Sequence, residues 1–416
     1  MKNVLILGGG SWGCGIASIL LHNLIKDNDI FKNNESNNNL QKQLIELFNT
    51  KNHDLYNKIS HQTTHYLNNI DKLKKDSGKI FIYSRSKIKE DKITELFLSV
   101  AKTFLLKPQY NINQFIELLV QKICIINDFE CCIKSKIIFD ITFVAIPLKS
   151  FEVFFVENKK SISLISHNLV VCSKGYVKSK LQNSFDYLQE TFNNNLQIAI
   201  LSGPNFAKEV LDKTPTITTV ASNSNNLLQD VKGVIQNDYF KVQTTQDILG
   251  ISMLGLCKNI IAIGYGLLIG YKDSNLDLFK STNSKSMYFS FAIQETIKII
   301  DIIGGDVLSM YLSAGVGDIF LTCTDLKSRN VSFGLNIANE ILNNSNTKIK
   351  SQEIINKITT NNTVEGIDGI LVLHKILEKY NIQSFLYEAI FNFLFTDYYS
   401  PDNYRKFVCD VLDLTN

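Results

Sequence analysis

Gly8-Gly9-Gly10-Ser11-Trp12-Gly13 fits the pattern G-x-G-x-x-G. Glycines at these positions permit a tight turn, let backbone approach a pyrophosphate, and allow a helix to pack closely on a strand. The loop follows the apolar run 4–7 and opens a helix-like run, 13–24. A helix N-terminus would therefore face the phosphates of a bound dinucleotide. The carboxylate that usually holds the ribose belongs at the end of the second strand. Glu35 has roughly the right count but no strand before it, and the next credible strand, 79–84, ends in Ser84-Arg85-Ser86-Lys87. Arg85 can stack on adenine and pair with a 2′-phosphate, which slightly favours NADP over NAD. The plainer alternative is a solvated arginine.

Two further groups are of types that could do chemistry. Lys258 lies in the apolar run 256–263. A positioned ammonium can stabilise charge on a carbonyl oxygen and then protonate it, and burial draws a lysine's pKa toward neutrality. Taken alone, such a lysine is more simply a snorkelling residue on a buried helix. Ser328-Arg329-Asn330 precedes a helical run, 331–342. Ser328 suits an N-cap, and the free N–H groups with Arg329 suit a phosphate. An ordinary capped helix with a surface arginine is the alternative. None of the six histidines falls in a motif, and His22 and His374 read as helix-surface residues.

Apolar runs at 4–7, 79–84, 141–147, 168–173, 198–202, 216–222 and 239–245 read as strands, several of them continuous rather than alternating. Such strands are buried on both faces of a mainly parallel sheet, with helices in the crossovers. Beyond 247 the pattern turns helical, at 248–266, 288–303, 331–342, 369–380 and 384–395. The predicted architecture is α/β: a Rossmann-type N-terminal domain over 1–247, then an all-α substrate and catalytic domain over 248–416. Polar stretches at about 27–78, 271–282 and 343–362 read as insertions.

Several motifs in one order narrow the reading. Ser173-Lys174-Gly175 is followed by Ser202-Gly203-Pro204-Asn205-Phe206-Ala207-Lys208-Glu209 and by Cys257-Lys258-Asn259-Ile260-Ile261. Then come Ala314-Gly315-Val316-Gly317-Asp318, Leu321-Thr322-Cys323-Thr324, Ser328-Arg329-Asn330 and Val364-Glu365-Gly366. Together they resemble bacterial-type NAD(P)-dependent sn-glycerol-3-phosphate dehydrogenase. The resemblance implies reversible hydride transfer between NAD(P)H and dihydroxyacetone phosphate, feeding glycerophospholipid synthesis. It implies Lys258 as proton donor and acceptor, Lys174 as a contact to both cofactor and substrate, and Asp318 as a substrate-binding position; as a catalytic group, the Asp318 carboxylate could orient the Lys258 ammonium. Gly203, Asn205, Asn259, Ser328, Arg329 and Asn330 match substrate positions. Gly8, Gly10, Ser11, Trp12, Gly13, Arg85, Ala207, Arg329, Thr363 and Glu365 match cofactor positions. The chain departs from the pattern around Gly270–Met287, at Asn205 and at Phe291. Those departures leave two alternatives: a catalytically silent NAD(P)-binding or sensing protein, and a related dehydrogenase for another small phosphorylated substrate.

Composition agrees with a globular enzyme. The chain has 416 residues, 45% of them hydrophobic, with 43 lysines and arginines against 40 acids, a net charge of +3. That excludes a wholly disordered chain and gives no electrostatic case for nucleic acid. The start does not read as a secretory signal. The longest later apolar stretch, about 260–271, falls short of the roughly 20 residues that span a bilayer. Eight scattered cysteines lack metal-site spacing, so no metal is expected and reduced thiols in a cytoplasm are the simplest reading. Oligomeric state is open, with a homodimer as the candidate.

Overall fold

The computed structural model describes residues 2–26, 31–32, 57–63, 78–85, 88, 90–101, 105–106, 112–271, 281–344, 348–360 and 364–412. Most of the expected insertion 27–78, residues 272–280 and Thr363 lie outside that set. The chain forms two compact units. The first comprises Met1–Ser173, Phe185–Leu201 and Asn205–Gln246, and the second Lys174–Ser184, Ser202–Pro204 and Asp247–Asn416. Two short segments from the N-terminal half thus belong to the second unit.

The first unit is built on eight strands: β1 Val4–Leu7, β2 Ile80–Tyr83, β3 Ile123–Ile126, β4 Ile141–Val144, β5 Asn168–Val171, β6 Gln197–Ser202, β7 Thr216–Ala221 and β8 Phe240–Thr245. Their order across the sheet is β3-β2-β1-β4-β5-β6-β7-β8. The pairings β1–β2, β1–β4, β2–β3, β4–β5, β5–β6 and β7–β8 are parallel. The order reverses between β1 and β4, and ligands of doubly wound sheets bind beyond the strand ends at such a point. Every residue of β1, β2 and β4 is buried. Covering both faces removes each large side chain from water, at about 1.5–3 kcal/mol apiece. The covering helices are α1 Ser11–Ile25, α2 Glu90–Ala101, α3 Ile112–Lys122, α4 Glu130–Lys134, α5 Phe151–Ile165, α6 Ser184–Thr191, α7 Ala207–Leu211 and α8 Asn225–Ile235.

Two expectations need correcting here. Strand β3 was not anticipated, because Ile123-Cys124-Ile125-Ile126 is a four-residue apolar run fused to the end of α3. His22 is not a surface residue. It is buried in α1 with its ring edge-on to Tyr239 at 5.3 Å, and burial pushes its pKa down to about 4.

The second unit is mainly helical: α9 Ile248–Gly270, α10 Thr282–Ile302, α11 Asp318–Thr324, α12 Arg329–Asn343, α13 Ser351–Thr359, α14 Glu365–Tyr380, α15 Phe385–Leu394 and α16 Pro401–Val411. It also carries two small antiparallel pairs, Ile349–Lys350 with Tyr398–Tyr399 and Tyr176–Val177 with Gln182–Asn183. Helix α9 starts at Asp247, whose carboxylate accepts the Gly250 N–H at 2.9 Å. At 23 residues it is longer than the sequence pattern suggests, and its length and apolarity alone would let it cross a membrane. Its most apolar window is 83% buried inside the chain, so it is a core helix. Glycines set its crossing with α12. A Cβ at Gly266 would fall 2.2 Å from the Val331 carbonyl oxygen, and one at Gly334 would fall 2.2 Å from that of Ile263. The two helices therefore touch backbone to backbone, fixing Lys258 and Asn259 relative to Ser328–Asn330.

Candidate active site

In the first unit, β1 runs into Gly8, whose φ of +116° is open to glycine but strained for other residues. A Cβ there would also meet the Ala145 carbonyl oxygen at 2.7 Å. Gly13, in the first turn of α1, has the Gly8 oxygen 1.9 Å from where a Cβ would stand. Gly10 is different: among the described residues nothing lies within 4 Å of its absent Cβ. It is the N-cap of α1, and among the described residues no side chain caps that end. Open space over an uncapped helix N-terminus beside bare backbone is what a pyrophosphate needs, so these residues fit a dinucleotide. Ser11 is exposed and Trp12 half-buried at the same end, and Ala207 begins α7. Arg85 stands two residues beyond β2, mostly exposed, with the Glu157 carboxylate 3.7 Å away.

In the second unit, a buried carboxylate joins two lysines. Asp318, the first residue of α11, is 1% exposed. Its Oδ1 accepts from Lys258 Nζ at 2.7 Å and its Oδ2 from Lys174 Nζ at 2.5 Å. Lys174 also donates to the Gly203 carbonyl at 2.8 Å, and Lys258 to Thr322 Oγ1 at 3.3 Å. The Thr322 hydroxyl donates to the Asp318 main-chain oxygen one turn back, at 2.7 Å. Lys258, on α9, has a side chain 9% exposed, against 21% for Lys174. The ionisation of these groups follows from the arrangement. Burial pushes Lys174 down to about 8; Asp318 opposes the fall and the Lys258 charge adds to it. Burial would raise Asp318, but the two ammonium groups, that of Lys174 foremost, outweigh it and hold the carboxyl below its ordinary range.

The remaining expected residues fall into two sets. Asn330 Nδ2 donates to Asn259 Oδ1 at 2.9 Å, and Asn330 Oδ1 accepts from the Gly366 N–H at 3.1 Å. Both ends of the Asn330 amide therefore bind α9, α12 and α14 to one another. Arg329 opens α12 and meets Glu365, the first residue of α14, at 3.4 Å, with both side chains well exposed. Ser328 occupies the N-cap position of α12, but its side chain makes no capping bond. Asn205 lies in the first unit, where its Nδ2 donates to Thr216 Oγ1 and the Ile217 carbonyl, each at 3.0 Å. Thr322 had no assigned role in the sequence reading. Its signal was a hydroxyl four residues after Asp318, on the same face of a helix.

The family described as NAD-dependent glycerol-3-phosphate dehydrogenase matches twice, its N-terminal part over residues 112–228 and its C-terminal part over 247–403. The chain belongs to that family. Among relatives, the glycerol-3-phosphate dehydrogenase (NAD(P)+) of Neorickettsia sennetsu is 27% identical over 64% of this chain and 72% of its own. That of Ehrlichia chaffeensis is 31% identical over 55% of this chain and 65% of its own. Among solved structures, a glycerol-3-phosphate dehydrogenase from Coxiella burnetii aligns with a TM-score of 0.64 at 19% identity, covering 99% of both chains. One from Plasmodium falciparum gives 0.66 at 17% identity, over 98% of this chain and 94% of that one. At such identities the structural likeness speaks for the fold. In this glycerol-3-phosphate dehydrogenase family member, the C-terminal match takes in Lys258, Asp318, Arg329 and Glu365, and the N-terminal match takes in Lys174.

Proposed function

We propose that this member of the family reversibly reduces dihydroxyacetone phosphate to sn-glycerol 3-phosphate with NAD(P)H, as a supplier of glycerophospholipid precursors. The observation that carries the reading is one buried carboxylate holding two ammonium groups, Lys174–Asp318–Lys258. Its summed charge is +1 while both lysines are protonated, and with the carboxylate 1% exposed and the Lys258 side chain 9% exposed, water screens it weakly. Such a cluster opposes the negative charge that develops on a reduced carbonyl oxygen. Lys258 gives the proton to that oxygen. Asp318 keeps Lys258 aimed, with Thr322 as a second hold, and Lys174 supplies the added charge. Arg329, at the head of α12, takes the phosphate, with Ser328 beside it. Residues 1–247 carry the dinucleotide on Gly8, Gly10, Ser11, Trp12 and Gly13, with Ala207 as a further contact. Residues 248–416 carry the catalytic helices. The bound nicotinamide supplies the hydride. Mixing the pure protein with NADPH or NADH and dihydroxyacetone phosphate should oxidise the nucleotide; no turnover from folded protein that binds NADPH would sink the proposal.

NADP is the favoured cofactor, because Arg85 rather than a carboxylate follows β2. Arg85→Ala is expected to raise KM for NADPH about tenfold while barely changing KM for NADH. Equal changes for both nucleotides would contradict a 2′-phosphate contact.

The state of Lys174 predicts a pH profile. Its ammonium is lost as pH rises through about 8. Reduction needs the charged form, so kcat/KM for dihydroxyacetone phosphate should fall through that region. Lys174→Arg should abolish the fall on the reductive side, and a wild-type profile flat between about pH 7 and about pH 9 would refute the assignment. Free thiols at all eight cysteines support a cytoplasmic setting. A homodimer is the candidate assembly, checked by sedimentation.

A further inference from the structure

We propose that Cys131 and Cys132 are a dithiol that exchanges with small-molecule disulfides and closes into a bond between adjacent cysteines. Six of the eight free thiols are buried, and only Cys131 and Cys409 are partly exposed. The Sγ atoms of Cys131 and Cys132 lie 3.9 Å apart, close enough for one S–H to donate to the other sulfur. Cys131 can be reached from solvent while Cys132 is 0% exposed. Both sit on the single-turn helix α4, whose first N–H groups, those of Glu130 and Cys131, are held by Asp128 Oδ1 at 2.9 and 3.3 Å. The hydrogen bond from Cys132 holds Cys131 below the ordinary thiol range, against the opposing effect of burial. The reachable thiol is thus the better nucleophile.

The exchange runs in two balanced steps. The Cys131 thiolate attacks one sulfur of a small disulfide RS–SR, forming Cys131–S–SR and releasing RS⁻. Cys132 attacks the Cys131 sulfur, forming the Cys131–Cys132 bond, and its proton passes to the leaving sulfur, which departs as RSH. Two protein thiols are oxidised and one disulfide is reduced to two thiols. Neighbouring Cα atoms stand about 3.8 Å apart, below the usual disulfide span of about 4.4–6.8 Å. The closed form is therefore strained and readily reduced, as labile regulatory disulfides are.

Closure must also twist the backbone of α4. The carbonyls of Cys131 and Cys132 accept from the N–H groups of Ser135 and Ile137, at 3.0 and 2.9 Å. On the other side Phe129 stacks on Tyr83 with ring centroids 4.3 Å apart. Tyr83 ends β2, two residues before Arg85. A twist of α4 therefore reaches the strand end that carries Arg85. This last link rests on the NAD(P) reading above; the thiol chemistry does not.

The test uses the full chain, oxidised glutathione as the disulfide, peptide mass mapping, and NADPH titration before and after. The Cys131–Cys132 peptide should lose two hydrogens before Cys409 reacts. Cys132→Ser should stop at a glutathione adduct on Cys131, and Cys131→Ser should leave Cys132 unmodified. NADPH affinity should weaken about fivefold or more on oxidation and return with dithiothreitol. An unreacted peptide while Cys409 takes up glutathione overturns the dithiol site. Oxidation with unchanged affinity overturns its link to the cofactor edge. If the reduced protein binds no NADPH, the NAD(P) reading fails, and the mass result still decides the thiol chemistry.

Discussion

Replacing Lys258 with methionine is expected to cut turnover of dihydroxyacetone phosphate about 10³-fold or more while leaving NADPH affinity within about twofold. The ammonium gives the developing oxyanion both charge and a proton, and each role is worth orders of magnitude in rate. Methionine fits the same apolar helix face without a charge, and the side chain is only 9% exposed, so packing should survive. Asp318 would retain Lys174 as its counter-ion. Steady-state kinetics beside a fluorescence titration of NADPH separate the two effects. A variant that works within about tenfold of the wild type would remove Lys258 from the chemistry.

Asp318→Asn should damage stability as well as rate. It leaves the Lys258 ammonium buried and the Lys174 ammonium mostly covered, both facing an amide instead of a carboxylate. Removing one partner of a buried ion pair costs about 3–5 kcal/mol, most of it the stranded charge. Adding Lys174→Met should restore much of that stability, since one of the two stranded charges is gone, while activity stays low. A double-mutant cycle in urea reads this coupling directly. Losses that simply add, or a single variant as stable as the wild type to within about 1 kcal/mol, would mean that the carboxylate is not the keystone of the cluster.

The parts of the fold that were legible in the sequence share a physical cause. Strands β1, β2 and β4–β8 are bounded apolar runs, and the glycine loop at 8–13 needs backbone freedom that few other residues offer. Strand β3 was hidden because its four residues continue the apolar stripe of α3 without a break. His22 was misplaced because one polar residue in an apolar helix looks like an exposed position, and the Tyr239 ring that packs edge-on against it lies 217 residues further along. The site was legible as a set of charged residues but not as a circuit. Nothing local in the sequence says that Lys174 and Lys258 share one carboxylate, or that Asn330 spends its amide on Asn259 and Gly366. Those are long-range pairings, and local pattern does not encode them.

The cluster at Asp318 also has a history in time. Lys174 leaves the ribosome 144 residues before the carboxylate that will hold it. At about 5–20 residues per second, that is a wait of roughly 7–30 s. Segment Lys174–Ser184 waits first for α9, which carries Lys258 and is translated within the interval, and to its end for α11, which carries Asp318. The strands β6, β7 and β8 are translated during that same interval, so the sheet is complete in sequence before the buried charges can meet. A nascent chain halted before residue 318 would hold every strand of the nucleotide-binding sheet and still have no counter-ion for Lys174.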